Sequence, residues 1–189
     1  MNTPAHLLIG AAAFSRPNRK HSLTAALLGA LAPDISLYVM VAVSIFAMGV
    51  PAQVVFREYY YSDAWQSVFA VDNSFIVWGV LLGLALWRRW PLIAVFAGAG
   101  LLHLLMDFPL HTHDARQHFW PVSNWVFHSP VSYWDTRAHA GIVGPIEFAL
   151  SLLSAMVLLW RFSHIGIRAL VLILLSMETF SSGIWYFVF

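Results

Sequence analysis

The stretch Ser74-Phe75-Ile76-Val77-Trp78-Gly79-Val80-Leu81-Leu82-Gly83-Leu84-Ala85-Leu86-Trp87, closed by Arg88-Arg89, decides the fold. It is an uncharged apolar run that stops at paired cations, and it reads as a helix only just able to cross a bilayer. Similar runs lie on both sides of it. Pro91 to Phe108 follows at once, then Gly141 to Trp160 and Ile167 to Phe189, while Ser22 to Val50 precedes it with Pro33-Asp34 as its only interruption. Pro4 to Phe14 is apolar but too short, since a span needs about 20 residues. The expectation is an all-α, polytopic transmembrane helical bundle with about five spanning helices and a short N-terminal helix inserted from one side.

Composition requires the same solvent. Of 189 residues, 60% are hydrophobic and 10% charged, with mean hydropathy +0.72, whereas globular chains run near ~25% charged and ~45–50% apolar. The net charge of +1 leaves no basic footprint for nucleic acid. With no cysteine, disulfides and thiolate metal ligands are excluded. The nine histidines are the anomaly in so apolar a chain.

Basic residues orient the bundle. With the Ser15–His21 turn in the cytoplasm, that side collects Arg16, Arg19, Lys20, Arg88, Arg89, Arg161 and Arg168, and the other side Arg57, Arg116 and Arg137. This is the positive-inside pattern of a multi-pass membrane chain. Trp87, Trp90 and Trp160 then mark the inner interface; Trp65, Trp120, Trp125, Trp134 and Trp185 mark the outer one. The whole of 1–189 reads as one membrane domain. Within it, 51–72 is an interfacial amphipathic segment, and 109–140 is an outer loop rich in His and Trp, long enough to suggest function. Gly79-x-x-x-Gly83 and Ala97-Gly98-Ala99-Gly100 are expected to permit close helix contact.

Ionisable residues inside such a bundle default to a functional hypothesis. His103 and Asp107 are four apart and share one helix face, a spacing that suits two ligands of one metal or a ligand with its orienting carboxylate; a hydrogen-bonded pair stitching helices is the plainer alternative. Asp34 lies within a long apolar run, after a proline that removes one helical hydrogen bond. Counted from the cytoplasmic turn at ~1.5 Å per residue, His6 rises roughly 15 Å and Asp34 roughly 20 Å. Asp72 and the His103/Asp107 pair approach the same depth, so four segments can deliver these groups to one pocket open to the periplasmic side. The outer loop adds His111, His113 and His118 as further candidate ligands. An imidazole and carboxylate set without thiolates favours zinc, with manganese or iron next. Glu147 and Glu178 read as packing partners rather than catalysts.

The order of motifs resembles the membrane-bound metal-dependent hydrolases that include the LexA-regulated inner-membrane group. The resemblance rests on Thr3-Pro4-Ala5-His6 with Gly10, on Gly29 to Pro33-Asp34, on Asp72-Asn73-Ser74 where the family has Thr-His-Ser, on His103 and Asp107, and on Trp120-Pro121. The chain departs from the pattern twice: Asn73 stands where a histidine is expected, and Ser36 stands in place of a second aspartate. The resemblance implies the class, a metal-dependent hydrolase, and not the substrate; the expectation is a bacterial inner-membrane enzyme with its site on the periplasmic side, acting on a lipid-like or membrane-proximal phosphoester. In it His6, Asp34, His103 and Asp107 would hold the metal, a histidine among His111, His113 and His118 would complete it, and Asp34 or Asp72 would act as general base. The rival expectation is a non-enzymatic membrane subunit or assembly factor that docks a protein partner through the aromatic loop from Trp120 to Trp134, a run rich in interface-anchoring residue types. A membrane lipid is the expected partner in the first case.

Overall fold

The computed structural model describes residues 1–188, with side chains through residue 181. The fold is an all-α bundle, and no strand occurs among the described residues. Four stretches are long and apolar enough to cross a membrane: Ser22–Ala47, Asp63–Trp87, Pro91–Leu110 and Ala140–Arg161. The run expected over Ile167–Phe189 forms a helix, Ile165–Val188. Trp185, expected at the outer interface, lies outside the described side chains.

In chain order the helices are α1 (Thr3–Phe14), α2 (Ser22–Ala42, continued by a π-helical turn at Val43–Ala47), the single turn α3 (Ala52–Val54), α4 (Asp63–Asp72), α5 (Phe75–Trp87), α6 (Pro91–Asp107), α7 (Ala140–Arg161) and α8 (Ile165–Val188). Apolar side chains cover their outer faces: Val80 is 66% exposed, Leu153 55% and Ile173 56%. Apolar surface on that scale belongs against lipid.

The segment expected to lie at the interface ahead of α5 is more closely tied to it. α4 leads into α5 with only Asn73-Ser74 between them, and together they make a 25-residue apolar stretch. The joint is at Asn73-Ser74. Ser74 Oγ accepts from the N–H groups of Ile76 and Val77, each at 3.1 Å, which caps α5 as a fresh helix start. Trp78 Nε1 donates back across the joint to the Asp72 carbonyl at 2.7 Å. The ten residues of α4 supply the length that α5 lacks.

α1 is the element that positions the site. Its 12 residues rise only about 18 Å, roughly half a bilayer core, and it is wrapped by α2, α6, α7 and α8. Leu8 and Ala11 pack against Ala155, Leu158, Val171 and Leu174. At its C-terminal end Arg161 donates to the carbonyls of Ala12 (2.7 Å) and Ser15 (2.9 Å), satisfying acceptors that a helix end leaves open. That end carries the basic residues. The N-terminal end is buried among helices.

Small residues set how closely these helices approach. A Cβ on Gly29 of α2 would stand 2.0 Å from the Phe96 carbonyl oxygen of α6, and one on Gly100 would stand 2.2 Å from the Trp78 ring. Gly79 and Gly83, expected to serve the same purpose, meet nothing within 4 Å, because their side of α5 is open. The contrast yields a prediction. In an ordinary helix Gly→Ala is worth ~0.5–1 kcal/mol of stability, but at Gly29 the new methyl meets backbone, and overpacking costs on the order of 1–3 kcal/mol. Gly29→Ala is therefore expected to melt below wild type in detergent, while Gly79→Ala melts at or slightly above it. Equal melting of Gly29→Ala and wild type would mean that α2 and α6 are not in backbone contact there.

Candidate metal centre

His103 and Asp107 face α2 from the last turns of α6. His103 Nδ1 lies 2.7 Å from the Ala30 carbonyl. A carbonyl only accepts, so Nδ1 carries the proton, and whenever His103 is neutral its lone pair lies at Nε2. Pro33 removes the N–H that would have bonded the Gly29 carbonyl, which loosens α2 beside the carbonyl that His103 uses. The lone pair meets no donor: His103 Nε2 is buried without a hydrogen-bond partner. Instead it faces two carboxylates, Asp107 Oδ2 at 3.3 Å and Asp34 Oδ1 at 3.7 Å. Three electron-rich atoms in a buried site repel one another unless a proton or a cation stands between them.

α1 brings the next ligand. His6 Nε2 lies 2.9 Å from Asp107 Oδ1, and its ring stacks on that of His103 with centroids 3.6 Å apart and planes 13° from parallel. His6 Nδ1 is buried without a partner. One ligand atom from each of His6, His103 and Asp107 lies within 4.8 Å of the others, and among the described residues this is the set that converges so closely. Its chemistry fits a divalent cation: two imidazoles and a carboxylate, with His103 oriented by a backbone carbonyl in the way that metal-ligating histidines are.

A second layer of groups surrounds the three. The Met1 amino group contacts Asp107 Oδ1. His111 Nε2 lies 3.3 Å from Asp107 Oδ2, and its Nδ1 lies 2.8 Å from Asp114 Oδ2. Burial disfavours a charge on His111, but Asp107 and Asp114 outweigh it and raise its pKa. Burial likewise opposes ionisation of Asp114, yet the bonds from His111 and Trp134 hold its pKa down to about 2. Thr3 Oγ1 donates to Asp34 Oδ2 at 2.9 Å and also contacts the Tyr38 hydroxyl. Tyr38 is 48% exposed on α2, so a hydrogen-bonded path leads from the outer surface of the bundle to Asp34. The Asn2 N–H donates to Glu147 Oε1 at 2.5 Å, and Asn2 Nδ2 donates to Glu178 Oε1 at 3.4 Å. The acids thus gather around the start of α1, where backbone N–H groups and the positive end of the helix dipole favour them. The expectation that Glu147 and Glu178 are packing partners matches these contacts.

Four of the sequence-derived candidates therefore meet, His6, Asp34, His103 and Asp107, with His111 at their edge. Three do not join the converging set. Asp72 sits at the α4–α5 joint, with Oδ2 buried and unpartnered. His113 is exposed, beside Thr112 Oγ1 at 3.2 Å and the Trp134 ring. His118 donates Nδ1 to the Arg116 carbonyl at 2.9 Å and packs on Phe75 and Phe108; burial pulls its pKa down to about 4, so it stays neutral.

Arg116, one of the three outer-side cations, turns inward. It is buried, at 6% exposure. Its NH1 donates to Asn73 Oδ1 at 3.0 Å and lies 3.9 Å from Asp34 Oδ1, and the guanidinium stands 4.7 Å over the Phe69 ring. Its place in a histidine-rich loop of a chain with few charges was the available signal. Asn73, where the resembled family has a histidine, serves as the acceptor for this arginine. Ser36, in place of the second aspartate, has a buried and unpartnered hydroxyl.

Above the centre the loop rings pack mainly on one another. Phe108 stacks on Phe127 at 4.9 Å and contacts Phe75 and Phe119, while Val122 and Trp125 remain exposed. Comparison of the chain with protein-family models, curated proteins and solved structures returns no match.

Proposed function

We propose that this chain is a metal-dependent hydrolase of the bacterial inner membrane, acting from the periplasmic side on a phosphoester of a lipid-like or membrane-proximal substrate. The observation that carries the reading is His103, whose Nδ1 is held by the Ala30 carbonyl and whose buried Nε2 faces Asp107 and Asp34. His6, His103 and Asp107 would hold the ion, with His111 in reserve. Nitrogen and oxygen donors favour zinc, then manganese or iron. When bound, such an ion supplies Lewis acidity and lowers the pKa of water at the site.

The remaining steps belong to the chain. Asp34 Oδ2 is held by Thr3, which leaves Oδ1 as the acceptor for a proton from the attacking water. The Tyr38–Thr3–Asp34 path opens toward the lipid-facing side of α2, which supports a substrate that arrives from the membrane. The Phe75–Phe108–Phe119 cluster excludes water from above. The order of motifs, which resembles that of membrane-bound hydrolases, supports the same class.

The test is phosphate release from a panel of short-chain lipid phosphates by detergent-purified protein. Hydrolysis is expected, abolished by chelation and by His103→Ala. Asp34→Asn is expected to keep its metal and lose at least ~100-fold in rate, within the range of general acid–base contributions. Metal-loaded protein that hydrolyses none of the panel and copurifies with a stable protein partner would replace this reading with the docking one.

A further inference from the structure

A guanidinium presents five N–H donors in a fixed plane, and Arg116 leaves a buried one of them without an acceptor. NH1 goes to Asn73, Tyr60 also hydrogen-bonds the guanidinium, the face lies on Phe69, and Nε is buried with no hydrogen-bond partner. Buried donors without acceptors are rare and call for an explanation. Charge points the same way. Asp34 is the carboxylate nearest to Arg116, at 3.9 Å, and that same Oδ1 lies 3.7 Å from His103 Nε2. A divalent ion at His6, His103 and Asp107 would cancel the two aspartates, and His111 is already paired with Asp114. The guanidinium would then keep its hydrogen bonds with Asn73 and Tyr60 but lose its nearest counter-charge, with Nε still unspent.

We propose that Arg116 is the anion-binding residue of this site and that it takes the phosphate of a phosphomonoester. The proposal rests on the hydrolase reading above and narrows its substrate. Planar, two-pronged donation to phosphate oxygens is what an arginine does best and a lysine cannot reproduce. Asn73 and Phe69 are positioning residues that set the plane of the fork. The shared Asp34 oxygen places the bound phosphate beside the side chains that would hold the metal.

The experiment is calorimetric titration of the detergent-purified full chain with three probes: inorganic phosphate, dihexanoyl phosphatidic acid, and dihexanoyl glycerol as the uncharged control. Wild type is expected to bind both phosphates and not the diacylglycerol; tighter binding of phosphatidic acid assigns the site to a lipid headgroup, and equal binding assigns it to free phosphate. Arg116→Gln is expected to weaken phosphate binding at least ~10-fold, the scale of a lost charge-assisted hydrogen bond, with metal content unchanged. Should Arg116→Gln fail to fold, Arg116→Lys carries the test, with a several-fold loss expected.

Phosphate binding that is unaltered in both variants, or failure of both to fold, would overturn the proposal and leave Arg116 as a packing tie. The two readings fail separately. Metal-free wild type that binds phosphate through Arg116 would sink the metal centre and keep this inference. Metal-loaded protein indifferent to Arg116→Gln would do the reverse.

Discussion

Asp107→Ala is expected to cost on the order of 3–5 kcal/mol of stability, the range for removing one partner of a buried charged pair. The reason is the number of groups that depend on it. Asp107 Oδ1 takes His6 and the Met1 amino group, while Oδ2 faces His103 and His111. These partners come from α1, α6 and the outer loop, so this one carboxylate ties the half-length helix and the loop to the bundle. Its removal leaves the Met1 amino group, His6 and His111 without the carboxylate they meet, in a site that water reaches poorly. Asp107→Asn keeps the shape and loses the charge, and is expected to fall between alanine and wild type. Thermal melting in mild detergent, read by the monodisperse fraction, measures the effect. A cost below ~1 kcal/mol for alanine, the scale of an exposed pair, would show that these partners are satisfied without Asp107.

His103→Ala is expected to abolish metal binding while leaving the fold standing. Partners that only support a ligand typically cost 10–100-fold in metal affinity when removed, and loss of the ligand itself should exceed that range. His103 also lies against Ala30 and His6, so some stability is lost as well, and melting must be measured beside metal content. His118→Ala is the control. His118 donates its Nδ1 to the Arg116 carbonyl and packs on phenylalanines, so its removal should leave metal content unchanged. Equal metal in His103→Ala and wild type would place any bound ion elsewhere.

Much of this arrangement was legible in the sequence, for a physical reason. In a chain with so few charges, each ionisable residue within an apolar run must find a partner, and helical rise fixes its depth. Counting along α1 and α2 was enough to bring His6 and Asp34 level with His103 and Asp107. Loops carry no such ruler. Nothing periodic separates His111, which reaches Asp107, from His113, which faces outward. Arg116 folds inward because Asn73 lies at the α4–α5 joint, and the near-continuity of those helices depends on a serine cap that hydropathy does not register. Gly79 and Gly83 have the spacing of a packing motif, but spacing cannot say which face of α5 a neighbour covers, whereas Gly29 is fixed by the backbone of α6.

The resemblance to membrane hydrolases rests on the same residues that the structure draws together, and also on Asp72-Asn73-Ser74, which it puts to another use. Ser74 caps α5, and Asn73 holds Arg116.

The central claim is that His6, His103 and Asp107 hold a divalent cation. The most direct measurement is elemental analysis of the protein purified in mild detergent without chelators. Near-stoichiometric zinc, or manganese or iron in its place, is the expected result. Protein that is folded and monodisperse yet free of divalent metal, and that takes up none when zinc is supplied, would contradict it.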